Sequence, residues 1–352
     1  MEPQTQVIAF GFVIGVVFGV VAQRSGFCFA RGLREWVLDR NTRRAAAVVL
    51  AMATAILGTG TLAALGRVEL SRSIYFPGSY AVWLVGAGGL LFGYGMMMAR
   101  GCGSRALVLL GTGNLRAVLV LVMIGLAAAI TLTGPLAAWR LSLSEWGSVS
   151  LRHATLTEWL HGTTTNDSLS WGVPVIVALG LVMWSLLGLK LYRWPREALA
   201  AAVIGGLVTA GWYVTGVVGA DDFDPVPIES LTFVAPVSDS LLYLMLASGM
   251  QAGFGIVVVA GVVLGSFIAA IIAREFAWRG FESVADMRRL LLGGLWMGIG
   301  GALAMGCTVG QGLTGLSTLA WPSFVAVLGI ISGGAAACRG PFRLRTDTAP
   351  VH

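Results

Sequence analysis

Apolar runs of about twenty residues recur along the whole of this chain, and they leave it few ways to fold. Inside hydrocarbon a backbone must satisfy its own hydrogen bonds, so such a run crosses a bilayer as a helix. The runs are too continuous for barrel strands, whose two faces alternate in polarity. Charged residues make up only 11% of the chain and hydrophobic ones 57%, against about a quarter charged in a soluble domain. The expected fold is therefore an all-α polytopic membrane protein. Its nine spans fall at roughly 7–22, 45–65, 81–99, 117–135, 172–190, 199–218, 256–272, 290–304 and 322–337. The N-terminal MEPQTQVIAF has no basic n-region and no obvious small-residue cleavage site, so it reads as retained.

The net charge of +6 comes from 22 arginines and one lysine, and their placement speaks of topology. Arg31, Arg34, Arg40, Arg43 and Arg44 follow the first span, Arg100, Arg105 and Arg116 the third. Lys190, Arg193 and Arg196 follow the fifth, and Arg274, Arg279, Arg288 and Arg289 the seventh. The loop after the sixth span carries Asp221, Asp222, Asp224 and Glu229 with no basic residue. The positive-inside rule then sets the N-terminus outside and the C-terminus in the cytoplasm. Arg31, Arg34, Arg43 and Arg44 read as topology determinants. Tryptophans near span ends, such as Trp36, Trp139 and Trp278, fit an interfacial belt. Nothing points to nucleic acid.

An internal repeat narrows the architecture further. GGLLFGYGMMMARGC (88–102) aligns without gaps to GGLWMGIGGALAMGC (293–307), with eight of fifteen positions identical and both ending on cysteine. Five spans separate the copies, so they cross the membrane in opposite senses. An inverted-topology repeat of this kind is a transporter architecture. On this reading the chain is one transport domain. Its first half, 1–170, carries an external loop at 140–170, and its second, 171–352, an acidic external loop at 220–236.

Three of the four cysteines sit in glycine-bordered interruptions: QRSGFCFARGLRE (23–35), MARGCGSRALVLLGTGNLR (98–116) and AMGCTVGQGLTGLSTLA (304–320). Glycines such as Gly101 and Gly306 let a helix end, turn and approach its neighbours closely. The apolar runs after the cysteines are too short for full spans and suit half-length helices dipping into the protein. Two such dips from opposite sides bring Cys102 and Cys307 near a shared axis. A thiol in apolar surroundings stays neutral, a weak S–H donor and a polarizable surface. That suits a soft anion with charge on sulfur or selenium. Half-helix N-termini add positive partial charge, and Arg100 and Arg105 attract anions at the cytoplasmic end, though Arg105 serves equally as a headgroup anchor. Thr308 and Gln311, beside Cys307, either donate to a solute or satisfy backbone. No Asp or Glu lies within the expected spans, which argues against cation coordination and a carboxylate proton relay. Cys338, at the end of the last span, reads as a small apolar side chain. The cysteines form no CxxC pair, and His153, His161 and His352 lie in a polar loop or at the tail. No metal site and no cofactor are expected.

At SGFCFARGLRE (25–35), GYGMMMARGCGSR with LGTGNLR (93–105, 110–116), and FESVADMRRLLLGG followed by GALAMGCTVGQGLTGLSTLA (281–294, 301–320), the chain resembles the YeeE/YedE sulfur-transport family of bacterial inner-membrane proteins. The resemblance implies an hourglass of inverted halves that passes thiosulfate inward without catalysis. Cysteines strung along the path bind the anion transiently through S–H contacts, and by motif these are Cys28, Cys102 and Cys307. It also implies a small cytoplasmic sulfur-carrier partner of the SirA/TusA type. Three other readings stand beside this one: a selenium-compound transporter of the same family, a membrane relay that forms a cysteine persulfide, and a neutral-solute channel. The two long external loops depart from compact members of the family.

Overall fold

The computed structural model describes residues 3–76, 78–150, 155–161, 168–220, 226–281 and 283–339. Helices fall on all nine expected segments. The first half runs α1 (Pro3–Ser25), α2 (Phe29–Arg34), α3 (Arg43–Ala64), α4 (Val82–Met98), α5 (Gly103–Gly111), α6 (Leu115–Leu132), α7 (Ala137–Glu145) and α8 (Leu156–His161). The second runs α9 (Ser168–Met183), α10 (Pro195–Tyr213), α11 (Val234–Leu246), α12 (Phe254–Ile272), α13 (Val284–Leu303) and α14 (Trp321–Arg339). Among the described residues, seven helical stretches are long and apolar enough to cross a membrane, so the chain is a multi-pass membrane protein. Two of the nine expected spans fall outside that set. The fifth is the shorter apolar stretch Gly172–Gly188. The eighth, α13, opens with Asp286, Arg288 and Arg289, a charge load that belongs at a membrane surface.

The helices pack in long pairs: α1 on α12, α3 on α10, α4 on α14 and α6 on α13 run parallel, and α4 on α13 antiparallel. Lipid supplies no hydrophobic force between such helices, so close van der Waals approach must hold them. Glycine makes that approach possible at α4–α13. A Cβ on Gly300 would stand 2.5 Å from the Phe92 backbone nitrogen, and one on Gly88 2.5 Å from that of Ala304.

At the ends of these two helices the structure departs from the glycine reading. The left-handed residue is Arg100 (φ 57) in one copy and Met305 (φ 58) in the other. Each is followed by a glycine whose N–H reaches back across the last turn, Gly101 to Met96 O at 3.0 Å and Gly306 to Gly301 O at 2.8 Å. This is a helix-ending pair of bonds of the Schellman kind. Gly101 follows the turn without a positive φ of its own, whereas Gly306 (φ 157) continues it in a conformation that favours glycine.

The fold is not wholly helical. Residues Ser79–Ala81 (β1) and Ser148–Ser150 (β2) pair antiparallel, with Tyr80 opposite Val149. The pairing straps the expected 140–170 loop to the start of α4, and Trp83 Nε1 donates to Trp146 O at 2.8 Å beside it. The same segment is tied to the cysteine region by Leu156 N–H donating to Leu319 O at 3.1 Å. Residues 151–154 and 162–167 of that loop lie outside the described residues, as do Asp221, Asp222 and Asp224. Of the acidic loop, Glu229 is described. Its backbone is pinned by Thr215, whose Oγ1 donates to Glu229 O at 2.6 Å. Burial, with Asp239 nearby, pushes the Glu229 carboxyl up from 4.5 to about 7.

Two outcomes follow from this packing. Gly300→Ala places a methyl against backbone and should lower the melting temperature of the purified protein, an overpacking cost of about 1–3 kcal/mol, whereas Gly206→Ala, with nothing within 4 Å of its Cβ position, should not. Because the folded Glu229 carboxyl titrates above its unfolded value, ionising it costs folding free energy. Stability should therefore be highest below pH 4.5 with respect to this group and fall as pH rises through about 7, and Glu229→Gln should remove that fall in melting curves taken at both ends of the range.

Candidate substrate path

Each of the three motif cysteines stands where a main helix has ended and a short one begins. Cys28 is the N-cap of α2 (φ −162, ψ 121) and Cys102 the N-cap of α5 (φ −85, ψ 173). Both are extended, the backbone conformation usual at an N-cap. The N–H groups of Arg31 and Arg105 lie toward the Cys28 and Cys102 sulfurs, though neither makes a cap of normal geometry. Cys307 precedes a π-helical turn, Gly310–Gly315. There the Gly310 N–H donates to Cys307 Sγ at 3.3 Å, and the Phe233 N–H approaches from the N-terminus of α11.

The fold brings the three together. Cys102 and Cys307 are each 1% exposed and Cys28 4%, and all three are free thiols. Cys28 and Cys102 face each other within interaction distance. Cys102 Sγ also meets Ser104 Oγ at 3.2 Å. Thr308 brings its hydroxyl toward the Cys102 sulfur from the other half of the chain, and that hydroxyl has no conventional hydrogen-bond partner. A small void beside these groups is lined by Phe27, Phe29, Val48, Cys102, Ser104, Thr308, Val309 and Leu313. A second is lined by Ser25, Gly26, Phe27, Cys28, Arg44, Ala47, Glu197 and Ala200. Each has about 10 Å³ open to a water-sized sphere, which is room for about one water.

The remaining sequence candidates divide. Arg105 lies near Cys28 and Arg44, and its Nη1 is buried with no hydrogen-bond partner. Arg100 instead pairs with Asp286 on α13 at 3.3 Å, with Arg116 at 3.8 Å on the same carboxylate. It ties α4 to α13 and stands apart from the thiols. Gln311 donates Nε2 to Ala304 O at 2.8 Å and Met305 O at 3.1 Å, closing the carbonyl end of α13. Its Oε1 is buried and unpartnered. Gly101 packs under the Arg105 side chain, and Gly306 (φ 157) leads into Cys307.

Several lining residues escaped the sequence reading. Phe27 and Ser104 sit inside the quoted motifs, one and two residues from a cysteine, so proximity was the available signal. Tyr75 had none. It lies in the α3–α4 connection, is 2% exposed, and stacks edge-on against Trp212 with centroids 6.0 Å apart. Burial dominates its surroundings, and Cys307 and Glu229 both lie within electrostatic reach of its hydroxyl. Trp212 in turn donates Nε1 to Ser317 Oγ at 3.2 Å.

Chemically the central void offers S–H, O–H and N–H donors in an apolar shell, with no carboxylate in its lining. Neutral donors of this kind stabilise an anion and cannot neutralise a cation.

Comparison with known proteins agrees with that chemistry. The thiosulfate transporter TsuA of Escherichia coli (strain K12) is 26% identical over 345 residues, covering 92% of this chain and 91% of its own. The thiosulfate transporter TsuA of Spirochaeta thermophila is 26% identical over 349 residues, covering 92% and 96%. A probable transporter, YedE of Escherichia coli (strain K12), is 32% identical over a 95-residue stretch, 27% of this chain and 22% of its own. The family model described as sulphur transport matches residues 24–336, a range that contains all three thiols and both glycine-rich repeats; the chain belongs to the sulphur-transport (YeeE/YedE) family.

Proposed function

We propose that this chain imports thiosulfate, or a closely related sulfur anion, across a bacterial inner membrane, handing it from Cys307 to Cys102 to Cys28. The observation that carries this reading is the placement of Cys102 between Thr308, which lines the same void, and Cys28, which lines the next one, in a chain similar over 92% of its length to thiosulfate transporters. Thiosulfate has a soft terminal sulfur and three hard oxygens. The thiols suit the first, and the hydroxyls and backbone N–H groups suit the second. No bond need form or break, so the protein acts as a transporter and not as an enzyme.

The order of the thiols rests on their surroundings. Tyr75 is within electrostatic reach of both Cys307 and Glu229, while Arg31, Arg44 and Arg105 are within reach of Cys28. With arginine-rich loops inside and the N-terminus outside, an anion entering past Tyr75 leaves beside the arginines. Arg105 then acts as its guide, since a buried guanidinium nitrogen without a partner favours a passing anion. A small cytoplasmic carrier of the SirA/TusA type is the expected recipient.

An inverted repeat accounts for the build. At the offset of the glycine repeat, α4, α5 and α6 answer to α13, the Gly310–Gly315 turn and α14. α1–α3 answer to α10–α12 with looser spacing. The packing pairs obey the same exchange: α1–α12 with α3–α10, and α4–α14 with α6–α13. Arg100 and Met305, both left-handed, are equivalent. Cys28 is the exception, because its counterpart is Phe233, so the third thiol belongs to the inner side alone.

The test is uptake of sulfur-35-labelled thiosulfate in cells lacking other routes. Losing one hydrogen bond to an ion removes about 1.5–3 kcal/mol, so Cys102→Ala and Cys307→Ala should each cut uptake at least tenfold at normal membrane abundance. Uptake at the parent rate in both variants would sink the thiol path. Arg105→Gln should slow uptake severalfold and flatten its dependence on ionic strength. Competition by unlabelled thiosulfate but not by selenite is expected; the reverse order would favour the selenium reading.

A further inference from the structure

The two voids beside the thiols share a single lining residue, Phe27. On one side of it lie Cys102, Ser104 and Thr308; on the other lie Cys28, Arg44 and Glu197. We infer that the Phe27 ring is the partition between two chambers of the transport path, and that its displacement limits both the rate of transfer and the size of anion that crosses. The inference deepens the transport reading above and rests on it for the identity of the path.

Three observations support the assignment. Neither void accommodates more than about one water, and thiosulfate has five heavy atoms, so the path is closed at this point and something must move. Phe27 is the side chain placed to do so. It belongs to the non-helical link between α1 and α2, where its own N–H makes a long bond to Ser25 Oγ, at 3.3 Å, and the firmer backbone bond falls one residue later, Gly32 N–H to Cys28 O at 3.0 Å. The preceding Gly26 holds φ +64, a conformation natural to glycine, and no atom lies within 4 Å of where its Cβ would be. The other walls are fixed more firmly. Ser104 and Val309 belong to hydrogen-bonded turns, and Val48 and Ala47 to the buried face of α3.

The arrangement also gives the partition a direction. Beyond the ring, the inner chamber has Arg44 in its lining and Arg105 in electrostatic reach of Cys28. Arg43 and Arg31 are matched there by Glu197 and Glu35, and Arg44 shares Glu35 with Arg31. Arg105 has no ion pair among the described residues. An anion held at Cys102 therefore gains charge attraction only after the ring moves aside. The ring keeps an apolar, low-dielectric barrier between the two environments until then.

Thiol accessibility tests this without assuming the solute. In inside-out membrane vesicles carrying the full chain, a small anionic methanethiosulfonate is applied and the labelling rate of each cysteine is read by peptide mass spectrometry. Phe27→Ala should speed labelling of Cys102 at least tenfold and leave Cys28, on the near side, within twofold. Phe27→Trp should slow Cys102 below the parent rate. Phe27→Leu, a milder truncation, should fall between Phe27→Ala and the parent, and serves if the alanine variant does not reach the membrane. Equal Cys102 rates in all variants, or parallel acceleration of Cys28, Cys102 and Cys307, would overturn the partition. Thiosulfate uptake in right-side-out vesicles carrying the same chain reports on the transport reading independently. Absence of uptake with an intact labelling pattern would sink that reading and leave Phe27 as a partition in a path for another solute.

Discussion

The close approach of α4 and α13 is the contact on which the rest of the molecule depends. Gly88, Gly95, Gly293 and Gly300 let the two backbones touch, and nothing larger would fit. Membrane helices gain nothing from hiding apolar surface from lipid, so this backbone contact supplies dispersion that side chains at a wider spacing would not. Because both helices end in the same way, at a left-handed residue followed by glycine and cysteine, their contact also fixes where the two chain reversals fall. Cys102 and Cys307 are thereby brought near one another from opposite ends of the sequence.

What forms around them is polar only in a restrained way. Thiols, hydroxyls and backbone N–H groups line a space too small for the ion it is proposed to pass. Donors of this strength would hold an anion more weakly than a full positive charge does. Full positive charge gathers on the Cys28 side, where Arg31, Arg43 and Arg44 are balanced by Glu35 and Glu197. A second ionic cluster, Arg100 and Arg116 on Asp286, fastens α4 and α6 to the start of α13 and leaves the thiols alone.

Much of this was legible in the residues. Apolar runs of membrane length marked where helices lie, because backbone satisfaction in lipid admits little else. Gly-bordered cysteines marked the breaks, and α5 and the Gly310–Gly315 turn occupy them. The glycines themselves were misassigned in part. Glycine was expected to make both turns, and Gly306 does take a positive φ, yet the left-handed residues are Arg100 and Met305, since a helix end held by back-reaching bonds tolerates a side chain there. Arg100 looked like an anion guide by its nearness to Cys102, but across one turn of helix end its side chain points to Asp286. Sequence distance carries no information about that direction.

The sequence alone determined the membrane class, the helical segments, the duplicated glycine framework and the three thiols, each a property of local composition or periodicity. Tertiary structure decided which groups meet. It set Thr308 against Cys102, Tyr75 edge-on to Trp212, and the β1–β2 strap over the start of α4. It also placed the Phe27 ring between two voids whose walls come from α1, α3, α5, α10 and the segment 308–313. These contacts join residues tens to hundreds of positions apart. Only the packing of the helices, governed by where glycine lets backbones touch, could select them.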